Sequence, residues 1–220
     1  MDFPLLTPVE VRVVGALVEK ELTTPEYYPQ SLNALTNACN QINNREPVVS
    51  YGESDVNRAL ESLRDKHLAF VTSGGTSRVL KFGHKFAETL HLSPPEVAVL
   101  CVLMLRGPQT VGEIRNRSGR LHAFADLAAV QATLADLGAR PAPLIVCLPR
   151  QPGTKESRYA HLLAGEVAAA PPTDGAPAPA EDEASAPPDR VSALEAEVAR
   201  LRHEVAELRG ELAGFRQQFD

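Results

Sequence analysis

The chain has 220 residues, 44% apolar and 23% charged, with no Trp and 18 Pro, which allows one or two folded domains plus an unfolded stretch and argues against a many-domain machine. The net charge of −6 is unevenly placed: residues 1–163 hold 17 Lys and Arg against 16 Asp and Glu, whereas residues 164–220 hold 5 against 12. No run approaches the roughly 18 apolar residues of a membrane span, and residues 1–14 lack the basic start and apolar stretch of a signal peptide, so a cytoplasmic location off the membrane is expected. Cys39, Cys101 and Cys147 are too far apart for a CxxC site and odd in number, and are read as buried small hydrophobes.

In chain order, Leu6-Thr7-Pro8-Val9-Glu10-Val11 opens the first predicted helix, with Val14, Leu17 and Val18 at helical spacing. A hydroxyl N-cap, a proline at the first helical position and a glutamate at the third form a capping box. Pro29-Gln30-Ser31-Leu32 with Leu35 opens a second helix, and Val56, Leu60 and Leu63 mark a third. Two β-runs follow, residues 68–72 and 78–82, joined through Ser73-Gly74-Gly75-Thr76-Ser77 as a hairpin.

The series then repeats. Leu92-Ser93-Pro94-Pro95-Glu96-Val97 stands 86 positions after the first opening, and Leu100, Leu103 and Met104 continue its helix. Pro108-Gln109-Thr110-Val111 with Ile114 matches the second helix at an offset of 79, and Val130, Leu134 and Leu137 match the third at 74. Ser157-Arg158 repeats Ser77-Arg78, between β-runs at residues 144–148 and 158–162 around Pro152-Gly153. Four blocks in one order are a duplication. Three helices closed by a hairpin, the second and third in a helix-turn-helix relation, predict a winged helix. The expected fold is therefore mainly α with small β-hairpins: two tandem winged-helix domains at 1–90 and 91–163, against the alternative of one all-α domain with a stray hairpin.

Residues 164–189 carry six prolines, the run Glu181-Asp182-Glu183 and no Lys or Arg, which predicts a disordered acidic linker. From residue 190 a heptad pattern begins: Val191, Leu194, Val198, Leu201, Val205, Leu208, Leu212 and Phe215, continued by Phe219, alternate three and four residues apart. Valines at the first three a positions with leucines at d predict a parallel two-stranded coiled coil over 190–220. In that register Arg190 meets Glu195, Glu197 meets Arg202, Glu204 meets Arg209 and Glu211 meets Arg216 across the chains, all opposite in sign. The expected assembly is a homodimer. The alternative is a single amphipathic helix packed on the folded part.

The stretch Thr24-Pro25-Glu26-Tyr27-Tyr28-Pro29-Gln30-Ser31-Leu32-Asn33-Ala34-Leu35-Thr36-Asn37-Ala38-Cys39-Asn40-Gln41, with Asn43-Asn44-Arg45-Glu46-Pro47-Val48 after it, resembles the signature of the uncharacterised bacterial YceH-like family. The resemblance runs through Leu103 to Thr110 and Glu156-Ser157-Arg158-Tyr159, covering residues 6–162. It implies a tandem winged-helix protein and supplies no catalytic residues. Gln30 departs from the family pattern, where an aliphatic residue is expected.

Chemistry-bearing patterns are sparse. Six histidines show no HxxxH or HExxH spacing and none lies near a cysteine in a ligand pattern, so neither a metal nor a cofactor is expected. There is no GxGxxG, GxxxxGK[ST] or GxSxG motif, Gly74-Gly75 reads as a hairpin turn, and Cys39 on an apolar helix reads as core. The expectation is a protein without enzymatic activity.

Two binding surfaces stand out. Asn33, Asn37 and Asn40 share one helix face, and with Tyr27 they form either a partner-recognition surface or a set of amides holding the backbone of the connection from Gln41 to Glu53. In the second repeat Arg115, Arg117 and Arg120 lie close together, and Arg150, Lys155 and Arg158 lie in or beside the wing. These are the expected phosphate clamps, with Gln131 and Thr133 turned toward a groove, although Asp126 and Asp136 on the same helix oppose close approach. The candidate partners are double-stranded DNA, bound by a dimeric regulatory module through avidity, and alternatively another protein bound by the Asn-rich helix of an adaptor.

Overall fold

The computed structural model describes residues 4–73, 79–150 and 156–165. The heptad tail at 190–220, all but the first two residues of the linker at 164–189, Lys155 and the Gly74-Gly75 turn lie outside the described residues.

The first half runs α1 (Pro8–Thr23), a single 3₁₀ turn (Pro25–Tyr27), β1 (Gln30–Ser31), α2 (Leu32–Cys39), α3 (Glu53–Asp65) and the hairpin β2 (Ala69–Ser73) with β3 (Leu80–His84). A short helix, α4 (Phe86–Thr89), leads into α5 (Pro94–Arg106), α6 (Val111–Ser118), α7 (Leu127–Gly138), β4 (Ile145–Cys147) and β5 (Tyr159–His161). The protein is thus mainly helical with small antiparallel sheets. In the first, β3 lies between β1 and β2 with Phe82 opposite both Gln30 and Val71; in the second, Gln109 bridges Tyr159 of β5 as Gln30 bridges β3.

The first capping box closes from both sides, and at the second the glutamate half forms. Thr7 N donates to the Glu10 carboxylate at 2.6 Å and Glu10 N donates to Thr7 Oγ1 at 3.3 Å; Ser93 N donates to the Glu96 carboxylate at 2.8 Å. The strands depart from the sequence expectation. The second strand of the first hairpin lies two residues later, ending at His84, because Ala69 pairs His84 and Lys85 N donates to Leu68 O at 2.8 Å. The residues before α2 and α6 are extended rather than helical. Gln30 and Gln109 there are buried, their amides donating to Tyr27 O at 2.7 Å and Arg106 O at 2.9 Å. The departure at Gln30 is therefore a satisfied buried amide, made twice.

One hydrophobic core runs through both halves. Its centre is the pair α1 and α5, which pack on each other while α1 also carries α2 and α3, and α5 carries α6 and α7. This double duty explains why residues 10–18 and 96–105 are buried without interruption, when a surface helix would bury only one stripe. Leu6 N donates to Leu163 O at 2.8 Å, tying the start of the fold to its end.

Gly15 sets how closely the two helices approach. A Cβ there would stand 2.9 Å from Leu105 Cδ2 and 3.2 Å from Met104 Cβ. Gly15→Val is expected to destabilise the fold by about 1–3 kcal/mol through overpacking, measured by urea denaturation. An unchanged midpoint would show that the α1–α5 contact has slack. One cysteine corrects the sequence reading: Cys39 and Cys101 are buried, but Cys147 is exposed, because it is the last residue of β4, where burial along the strand falls away from Ile145.

Candidate functional site

In the second half α6 and α7 pack on each other and on α5. Arg115, exposed near the end of α6, donates from Nη2 to Ala125 O at 3.3 Å. The next residue, Asp126, caps α7 by accepting from Ala129 N at 2.8 Å. Arg120 is exposed on the turn after α6, and Arg150 is exposed just beyond β4. Arg115 and Arg120 therefore flank the connection between the second and third helices of this half.

Arg117 and Arg158 have internal work. Arg158 sits 2.9 Å from the Glu113 carboxylate and donates to Pro108 O at 2.9 Å, so it fastens the strand region to the start of α6 with its charge already neutralised. Arg117 donates to the side-chain oxygen of the buried Gln109. Thr133 requires a correction. It is 7% exposed and donates its hydroxyl to Ala129 O at 2.9 Å, because its place on α7 turns it toward the core, so its hydroxyl is not offered to a groove. Gln131, two residues earlier, is exposed.

In the first half the asparagines divide. Asn40 holds the backbone of Tyr51 from both sides, Nδ2 to Tyr51 O and Tyr51 N to Oδ1, each at 2.8 Å, which is the backbone-holding role. Asn33 and Asn37 stay exposed; Asn33 donates to Glu53 at 3.1 Å and Asn37 to Asn33 at 3.3 Å. Tyr27 is 70% exposed.

Sequence reasoning missed the groups that hold this region together. Arg12 and Arg45 are both buried. Arg12 donates to Cys39 O at 3.2 Å and Pro47 O at 2.6 Å. Arg45 meets Glu19 at 2.5 Å and donates to Ala38 O at 2.9 Å and Gln41 Oε1 at 2.9 Å. The signal was present at Arg12, a lone cation in the apolar run Val11 to Leu17; Arg45 in a polar loop carried none.

Also missed was a duplicated ion pair in which a buried glutamate meets a half-buried cation. The capping glutamate Glu10 meets Lys66 at 2.7 Å, and Glu96 meets Arg140 at 2.9 Å, each cation just past the third helix of its half. Both cations also donate to backbone before the first helix, Lys66 to Leu5 O at 3.0 Å and Arg140 to Leu90 O at 2.8 Å. Lys66 and Arg140 are 74 positions apart, the same offset as the third helices.

Burial pushes the Cys39 thiol up to about 12, away from a reactive thiolate. No group of three or more His, Cys, Asp or Glu among the described residues could hold a metal ion. No helix among them is long and apolar enough to cross a membrane.

Comparison with known sequences places these features in a wider set. A family profile described as protein of unknown function, DUF480, matches residues 6–154. A UPF0502 protein of Opitutus terrae is 62% identical over 165 residues, covering 74% of this chain and 72% of its own. UPF0502 proteins of Geotalea uraniireducens and Geobacter sulfurreducens are 60% and 57% identical over 161 and 162 residues, covering 73% and 74% of this chain and the same shares of their own.

Proposed function

Because this chain belongs to the DUF480 family of proteins of unknown function, we propose its role from geometry: a non-enzymatic, dimeric tandem winged-helix module that binds double-stranded DNA through its second half. The observation that carries the reading is the placement of exposed Arg115 and Arg120 at the connection between α6 and α7, with exposed Arg150 beyond β4. In a helix-turn-helix arrangement that corner lies beside the duplex backbone, and phosphate neutralisation is the main source of duplex affinity. Supporting the winged-helix reading is the repeated order of three helices and a hairpin.

Fluorescence anisotropy with a random duplex tests the reading. Binding at low salt that weakens steeply toward physiological salt is expected; no binding at low salt would sink it. A second reading, a protein-interaction adaptor, is favoured by one observation: Tyr27, Asn33 and Asn37 form an uncharged exposed set on the first half. On that reading duplex binding is absent, and losses of partner binding map to these residues.

The dimer is proposed from the heptad register of the tail. Light scattering on the full chain is expected to give twice the chain mass. Exchanging Glu197 and Glu204 for lysine is expected to shift the equilibrium toward monomer, each surface pair contributing about 0.2–1 kcal/mol. A full chain of monomer mass would contradict the coiled coil.

A further inference from the structure

We infer that the second half takes double-stranded DNA of any sequence, held by phosphate charge and duplex shape, with no base-reading code. The inference rests on the DNA-binding reading above and concerns what that surface selects. If α7 takes the recognition position, what it can read is set by what it turns outward: Leu127, Ala128, Gln131, Ala132, Ala135 and Asp136 are exposed. Base identity in the major groove is read chiefly by bidentate pairing, Arg or Lys with guanine, Asn or Gln with adenine, Asp or Glu with cytosine. Gln131 is the sole amide on α7, the helix carries no Arg, Lys or Asn, exposed Asp126 at its start is committed to capping by accepting from Ala129 N at 2.8 Å, and Asp136 lies in its last turn, away from the N-terminal half that enters a groove. The alanines offer only van der Waals contact.

The duplication supplies a control within the same chain. At the positions where α3 carries Glu53, Asp55, Arg58, Glu61 and Arg64, α7 carries Leu127, Ala129, Ala132, Ala135 and Gly138, while the core residues Val56, Leu60 and Leu63 are matched by Val130, Leu134 and Leu137. The opposite change occurs at the helix connection, where Thr36 and Gln41 of the first half correspond to Arg115 and Arg120. Between the two copies, charged readers are absent where bases would be met, and cations are present where phosphates would be met.

The test uses the full chain and two readouts. Anisotropy titrations at low salt with AT-rich, GC-rich and mixed duplexes of one length are expected to agree within about threefold, whereas one base-reading contact discriminates roughly fivefold to 150-fold. Arg115→Ala and Arg120→Ala are expected to weaken all three duplexes by the same factor and to flatten the log–log salt slope by about 0.9 per lost contact. Gln131→Ala is expected to leave the ratios among duplexes unchanged. A consensus enriched from a random-sequence duplex pool, or ratios altered by Gln131→Ala, overturns this inference while DNA binding stands. Absence of binding to every duplex at low salt overturns the DNA-binding reading and this inference with it.

Discussion

Arg45→Met is expected to lower the unfolding free energy by about 3–5 kcal/mol, the cost of breaking a buried ion pair from one side. The side chain is fully enclosed and meets Glu19 at 2.5 Å, so its removal leaves a largely buried carboxylate with only Lys20, at 3.7 Å, beside it. It also frees Ala38 O and Gln41 Oε1, which the guanidinium reaches at 2.9 Å, and loosens the connection between α2 and α3. One effect runs the other way. Burial and the neighbouring Arg45 charge both hold the Arg12 guanidinium below its ordinary pKa, so losing Arg45 relieves Arg12. That relief is smaller than the loss, because Arg12 keeps Cys39 O and Pro47 O. Chemical denaturation followed by circular dichroism measures the difference. A change below about 1 kcal/mol, the range of an exposed pair, would show that Asn40 and Arg12 suffice to hold the connection.

Why the helices were legible and the strands less so follows from what each needs. Thr7 and Ser93 with their glutamates are local signals, complete within four residues, and they mark where α1 and α5 begin. The register of β3 depends instead on Ala69 and Lys85 finding partners across a turn, which no local pattern records. The same holds for Gln30 and Gln109. Read along the chain they look like helix starts; only the strands arriving more than 45 residues later, at Phe82 and Tyr159, make them extended. The common core of the two halves was hidden for a related reason. Residues 10–18 and 96–105 read as ordinary apolar helices, and the fact that each is buried all round appears only when they are packed together.

The candidate site was legible as composition but not as geometry. The arginines of the second half were visible as a cluster, yet whether each is available depends on a partner distant in sequence: Glu113 occupies Arg158, 45 positions away, while Arg115 and Arg120 stay exposed. Thr133 failed for a periodicity reason, since a helix of 3.6 residues per turn places it beside Val130 and Leu137 on the inner face rather than with Gln131. Asn40 and Asn33 share a helix face, but one grips the Tyr51 backbone and the other remains open.

The twin ion pairs yield the second large effect, with a pH signature that identifies its cause. Lys66→Ala is expected to cost about 3 kcal/mol at neutral pH, because Glu10 is only 2% exposed and its carboxylate would stay buried without a cation. Burial by itself raises the Glu10 pKa, and in the intact protein hydrogen bonds from Lys66, Ser62 and the Thr7 backbone outweigh it, holding the group below the ordinary carboxylate value. A carboxyl with a lowered folded pKa contributes stability that is present above its unfolded pKa and lost as pH falls through the folded one. Without Lys66 the burial effect gains weight and the folded pKa moves upward, so the variant's deficit should be full at pH 7, shrink as pH falls through the variant's raised folded pKa, and be gone only below the parent's lowered one. Arg140→Ala is expected to follow the same course with a smaller cost, about 1–3 kcal/mol. Glu96, 8% exposed against 2% for Glu10, is less enclosed, so its carboxylate left without a cation stays closer to water. Denaturation midpoints of the two variants against the parent at pH 7 and at pH 3.5 measure both effects. A Lys66→Ala deficit that is independent of pH would mean that the lysine stabilises by packing and by its bond to Leu5 O, and that the charge of Glu10 contributes nothing.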